Sequence, residues 1–249
     1  MLFKRLFLIL VLSVFFSSSL FSKGLPSEYY KIKSTKKSKD YFFEFIYNLV
    51  ENENINILKE RIFVQNILHS NILHIDTNSA SFIKLLDIKK KYRVKQIYNY
   101  KEYMKKIDVI PPSMALAQAA VESGWGKSRF IKEANNIFGH WTYNPAIGMI
   151  PQQRNEGDKH FIRIFKTLQD SISAYMLNLN RNRAYKGFQD KRLDERKNNK
   201  NPNGLVLSNT MINYSGIGEE YLIILENMIR KNKLEKYDTR FYKKLNTKK

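Results

Sequence analysis

Apolar positions recur at helical spacing through most of the chain. Tyr41, Phe42, Phe45, Ile46 and Leu49 form one stripe, and Ile62, Leu85 and Ile97 with their neighbours continue it, so residues 40–107 are expected to be helical. Asp40 is placed to cap the first of these helices. Lys89-Lys90-Lys91 reads as a solvated face, and residues 23–39 as a mobile Lys/Ser-rich lead-in. Pro111-Pro112 stops the upstream helix and suits the first turn of the next. That next helix is built of small residues, from Met114 through Val121, so other helices can approach it closely. Ser123-Gly124-Trp125-Gly126 ends it, and a short helix over 128–134 follows.

Between 136 and 166 the pattern changes. Gly139, Pro145, Gly148, Pro151 and Gly157 interrupt it, and residues 160–165 alternate as a strand does. Thr167-Leu168-Gln169-Asp170 has the form of a capping box, with Asp in place of Glu, ahead of a helix through Asn180. Two short helices with a turn at 201–204 are expected over 187–213. The last apolar stripe, Tyr221, Leu222, Leu225, Met228 and Ile229, begins near Gly218. The expected fold class is mainly α (α+β), a helical body with a small β lobe. The expected division is a signal peptide at 1–22, a helical N-terminal region at 23–109, a main domain at 110–235 and a basic tail at 236–249.

The first residues change the picture. Lys4 and Arg5 precede the apolar run Leu6–Phe16, and a serine-rich stretch follows, which is the order of a secretory signal peptide. Export to the periplasm or cell envelope is the expectation. If the segment stays uncleaved, it ties the chain to the membrane. The absence of cysteine excludes disulfides, thiolate metal sites and lipoprotein attachment. The four histidines, His69, His74, His140 and His160, have no metal-ligand spacing, so neither metal nor cofactor is expected. A net charge of +20 suits anionic wall polymers or lipid headgroups in an exported protein better than nucleic acid, or else is a compositional habit of the whole chain.

The chemistry centres on Glu122. A carboxylate at the end of a rigid helix, beside glycines that remove side-chain bulk, suits a proton donor facing a large ligand. It also suits a plain helix end in water. Trp125 beside it is a candidate to stack on a sugar ring. Trp141 and Tyr143 form a second candidate platform, and Asn136 and Phe138 complete the candidate substrate-binding set. Asn135 and Asn136 can instead hold the turn by local hydrogen bonds, and Phe138 can instead be core. His140 reads as a cleft-edge residue.

Four segments together are more specific: Met114–Gly126, Asn135-Asn136-Ile137-Phe138-Gly139, residues 165–170 and Asn213-Tyr214-Ser215. In order and spacing, over more than half the chain, they resemble the glucosaminidase domain of glycoside hydrolase family 73, and within it the bacterial Bax-type proteins. The resemblance implies a lysozyme-like fold and hydrolysis of peptidoglycan glycan strands on the reducing side of N-acetylglucosamine. It implies Glu122 as general acid and Tyr214 near the acetamido group in the catalytic cleft. The second acid is poorly aligned in that family; Glu156 is the candidate, with Asp158 close behind. A second carboxylate would serve as base or nucleophile, unless the acetamido oxygen of the substrate does that work. A lytic transglycosylase, with a single Glu, and an inactive wall-binding module are the alternatives.

Overall fold

The computed structural model describes residues 23–69, 76–152, 157 and 159–247. The expected signal peptide at 1–22 and the acids Glu156 and Asp158 lie outside the described residues. Eleven α-helices are described: α1 (Ser27–Lys31), α2 (Thr35–His69), α3 (Ala80–Tyr92), α4 (Tyr100–Lys106), α5 (Pro112–Glu122), α6 (Arg129–Ala134), α7 (Leu168–Arg181), α8 (Lys186–Lys197), α9 (Gly204–Ser208), α10 (Glu219–Lys231) and α11 (Glu235–Asn246). Between α6 and α7 lies a small antiparallel sheet of β1 (Trp141–Thr142), β2 (Gly148–Met149) and β3 (Phe161–Arg163), in the order β1-β3-β2. Trp141 pairs with Ile162, and Gly148 with Arg163. The architecture is the mainly α, lysozyme-like one expected.

Helix α5 is the centre. Every residue from Pro112 to Ala120 is buried. Its four alanines let α2, α9, α10 and α11 pack directly on it. A buried helix N-terminus needs partners for its free N–H groups, and Pro111 offers no side-chain cap. Asp238 of α11 supplies them. Its Oδ1 accepts from the Ser113 N–H (2.7 Å), and its Oδ2 accepts from the Ser113 hydroxyl (2.6 Å) and from the Gly204 N–H (3.0 Å). One carboxylate thus caps both α5 and α9. Gly204 lies against Ser113 so closely that a Cβ there would sit 2.0 Å from its Oγ.

The loop before α5 is anchored too. Asp108 is buried between Arg61 (3.6 Å) and Arg196, which binds both its oxygens. Burial alone would raise its pKa, but Arg61, Arg196 and Arg192 outweigh that and hold it below the usual carboxylate range.

Three expectations need correction. Most of the expected basic tail is a packed helix: α11 runs to Asn246 and buries Tyr237, Asp238, Phe241 and Tyr242. Its high charge hides a narrow stripe at i, i+4 spacing. Asp40 caps nothing. Helix α2 starts at Thr35, where Ser34 Oγ accepts from the Lys37 N–H, and Asp40 pairs with Lys36 (2.9 Å) inside the helix. The lead-in is packed, with Leu25 and Tyr29 buried in the same core as α5.

That lead-in holds the turn after Glu122. Gly124, Trp125 and Gly126 all have positive φ (55°, 59° and 72°), a conformation costing a non-glycine residue roughly 1–2 kcal/mol. Tyr29 donates to the Trp125 carbonyl (2.5 Å) and Tyr30 to the Gly126 carbonyl (3.2 Å). Leu25 fills the space beside Gly126, where a Cβ would lie 2.1 Å from its Cδ1. Gly126→Ala should therefore lower stability by about 1–3 kcal/mol in urea unfolding. Leu25→Ala in the same chain should recover part of that loss. An unchanged unfolding midpoint for Gly126→Ala would refute the close packing.

Candidate active site

Glu122 ends α5, and Gln118 lies one helical turn before it on the same face. A hydrogen-bond chain runs between them. The Tyr175 hydroxyl of α7 donates to Gln118 Oε1 (2.6 Å). Gln118 Nε2 donates to the Tyr221 oxygen (3.1 Å), and Tyr221 of α10 donates to Glu122 Oε1 (2.7 Å). Each hydroxyl has one proton to give. The Tyr175 proton goes to the amide oxygen, which turns the amide nitrogen to Tyr221, which leaves the Tyr221 proton for Glu122. Gln118, Tyr175 and Tyr221 are all buried.

Aromatic rings wall this chain. Tyr214 stacks on Tyr221 (5.6 Å between centroids, planes at 6°) and meets Tyr175 edge-on. Phe138 stacks on Tyr175 (3.8 Å, 7°), and Tyr185 lies 6.0 Å from Tyr214. The surroundings decide the charge state of Glu122. Burial pushes its pKa up; the Tyr221 hydrogen bond stabilises the anion and pulls it down; burial wins. A carboxyl that keeps its proton above the ordinary glutamate range is suited to give that proton away.

The sequence model of the Glucosaminidase family, described as mannosyl-glycoprotein endo-beta-N-acetylglucosaminidase, matches residues 97–239. The chain belongs to the glucosaminidase family. That membership places it among the glycosidases. Protein bax of Escherichia coli (strain K12) is 29% identical over 216 residues, which cover 85% of this chain and 75% of that protein. No solved structure matches. The glucosaminidase match begins upstream of the expected start at 110 and runs far enough to take in Asp238, the cap of α5.

The remaining predicted residues of the glucosaminidase site separate into three groups. Tyr214 is beside Glu122, through its stack on Tyr221. Trp141 and Tyr143 are on the β lobe and open to solvent, 63% and 76% exposed, with Trp141 stacked on His160 at 4.2 Å. The other three are structural. Trp125 packs edge-on against Phe42 and Phe43 of α2 with the Lys39 ammonium over its ring, so it joins the turn after Glu122 to the N-terminal region. Asn136 is buried. It donates to the His140 and Arg163 carbonyls and accepts from the His140 N–H, so it ties the loop after α6 to β3 and has no group left for substrate. Phe138 is buried under its stack with Tyr175.

His140 is neutral at ordinary pH, because burial, and then Arg163, lower its pKa to about 4. Among the described residues no group of three or more acidic or histidine side chains could hold a metal ion. Gln118, Tyr175 and Tyr221 were not anticipated. Gln118 had a signal, its i−4 spacing from Glu122. Tyr221 reads as a member of an apolar stripe and Tyr175 as one more residue of the helix through Asn180, and only folding brings their hydroxyls to one point.

In any reaction that draws the Glu122 proton, activity falls as pH rises through its pKa. Tyr221→Phe removes the bond that stabilises the anion, so the pKa rises further. The alkaline limb of kcat/KM should move to higher pH, with a lower maximum from looser positioning. A limb that stays put, or moves to lower pH, would contradict the assignment of the Tyr221 bond.

Proposed function

We propose that this protein is an exported peptidoglycan hydrolase that cuts the β-1,4 bond after N-acetylglucosamine in glycan strands, with Glu122 as general acid. The observation that carries this reading is the state of Glu122: half-buried, raised in pKa, and fixed through Oε1 alone among the described residues. Its Oε2 is the oxygen to present a proton to the glycosidic oxygen. As the proton moves across, the C–O bond breaks and positive charge develops on the sugar ring. The pair of electrons leaves with the protonated oxygen. A second carboxylate, Glu156 or Asp158, or the substrate's own acetamido oxygen supports the cationic centre, and water completes the hydrolysis. Tyr214 stands by the acetamido group, and Trp141 and Tyr143 offer aromatic faces to sugar rings on the β lobe.

Export is supported by Lys4, Arg5, the apolar run Leu6–Phe16 and the serines after it. The positive charge of the chain favours approach to an anionic wall.

Wall sacculi digested with the protein should release fragments with reducing N-acetylglucosamine ends. Glu122→Gln keeps the shape and the Tyr221 contact but removes the transferable proton. It should lower hydrolysis by about 10²–10⁴-fold while glycan binding persists. Anhydro-muramic ends would identify a lytic transglycosylase. No release at all would leave a wall-binding module. Near-normal turnover by folded Glu122→Gln would overturn the role of Glu122.

A further inference from the structure

A groove of about 660 Å³ crosses α7 between the β lobe and helices α2 and α3. Its charged lining is Lys91, Arg163, Lys166 and Arg181 against Glu53 and Asp170. The two carboxylates are already engaged. Glu53 accepts from the Ser173 hydroxyl (2.7 Å), and Asp170 accepts from the Thr167 N–H in the capping box of α7 (3.0 Å). Lys91 is engaged as well, with Glu60 at 2.8 Å. Arg163, Lys166 and Arg181 have no carboxylate within ion-pair distance among the described residues. Arg163 lies over the Phe165 ring (4.6 Å), and Arg181 reaches only the Lys91 carbonyl (3.3 Å). Arg93 stands close enough to bear on Arg181 too: burial lowers the Arg181 pKa, and the charges of Arg93 and Arg163 lower it further. Guanidiniums that repel one another in a concave, partly desolvated surface are relieved by a bound anion, and their planar forks fit carboxylates.

This groove adjoins the Glu122 site. His140 lines it and meets Phe138 edge-on (6.3 Å), and Phe138 stacks on Tyr175 at the start of the hydrogen-bond chain to Glu122. The buried Nδ1 of His140 has no hydrogen-bond partner among the described residues. Asn178 also lines the groove and bonds to Tyr185, whose hydroxyl lies in the field of Glu122. Through Asn178 and Tyr185 the groove reaches side chains that lie in the field of Glu122.

We propose that the Arg163–Arg181 groove binds carboxylate groups on the peptide side chains of the glycan strand, so that peptide-bearing strands are preferred over bare ones. The proposal rests on the peptidoglycan reading above and names the form of that substrate. The ligand is an acidic peptide joined to the glycan, and the cationic pair sets specificity without taking part in bond cleavage.

The test is equilibrium binding of three soluble probes to the intact protein. They are a glycan fragment bearing its acidic peptide, the same fragment without it, and polyglutamate. The wild type should bind the peptide-bearing fragment about tenfold more tightly than the bare one. Arg163→Gln with Arg181→Gln should abolish that preference and leave binding of the bare fragment unchanged. Should that double variant fail to fold, Lys166→Glu, at an exposed position, should reduce the same preference. Equal affinity for the two glycan fragments in the wild type would overturn the proposal, as would a preference that survives the substitutions. Polyglutamate bound as tightly as the peptide-bearing fragment would also overturn it, as simple polyanion attraction. Binding needs no turnover, so a failed hydrolase reading shows separately, as absent release of reducing ends.

Discussion

The structure depends on burying one small-residue helix along its length while satisfying its polar ends. Helix α5 lies inside the protein, so its first N–H groups cannot turn to water. An unsatisfied buried donor costs about 1–3 kcal/mol. Asp238 from the far end of the chain removes that cost at the N-terminus and closes α9 onto α5 with the same oxygens. At the other end the helix emerges just far enough to bring out Glu122. The carboxyl is therefore positioned by a buried helix, and burial that stabilises the fold also raises its pKa.

The parts of the chain outside the helix and sheet of the β lobe act on this same element. The lead-in at 24–30 holds the left-handed turn after Glu122 through Tyr29, Tyr30 and Leu25. Gly24 also donates to Asn135 Oδ1 (2.8 Å), whose Nδ2 holds the Phe165 and Lys166 carbonyls. Two adjacent asparagines thus join the N-terminal segment, the loop after α6 and the exit of β3. The β lobe is tied to the helical body by these amide side chains, with Ile162 and Phe165 buried beside them.

Much of this was legible in the sequence because it is local. The alanine helix, its proline start, the short helix capped by Ser128 and the capping box at Thr167 depend on residues three or four apart, and all are present. Glu122 stood out for the same reason. What was missed is long-range. Asp238 looks like one more charge in a basic segment until it meets Ser113, 125 positions away. Trp125 beside a catalytic candidate suggests sugar stacking, and its packing against Phe42 and Phe43 of α2 shows only in the fold. Asn136 suggests a ligand contact until its amide is accounted for by backbone partners. Tyr221 was read by its ring, as an apolar-stripe residue, while its hydroxyl is the group that touches Glu122.

The central claim is that Glu122 keeps its proton above the range of an ordinary glutamate and owes this to burial. It can be measured on the resting protein, without substrate. The carboxyl stretch of Glu122, isolated as the infrared difference between the protein and its Glu122→Gln variant, can be followed across pH. The account predicts a midpoint above the ordinary value of 4.5. A midpoint at or below that value would show that burial does not hold the proton on Glu122, and would contradict the account.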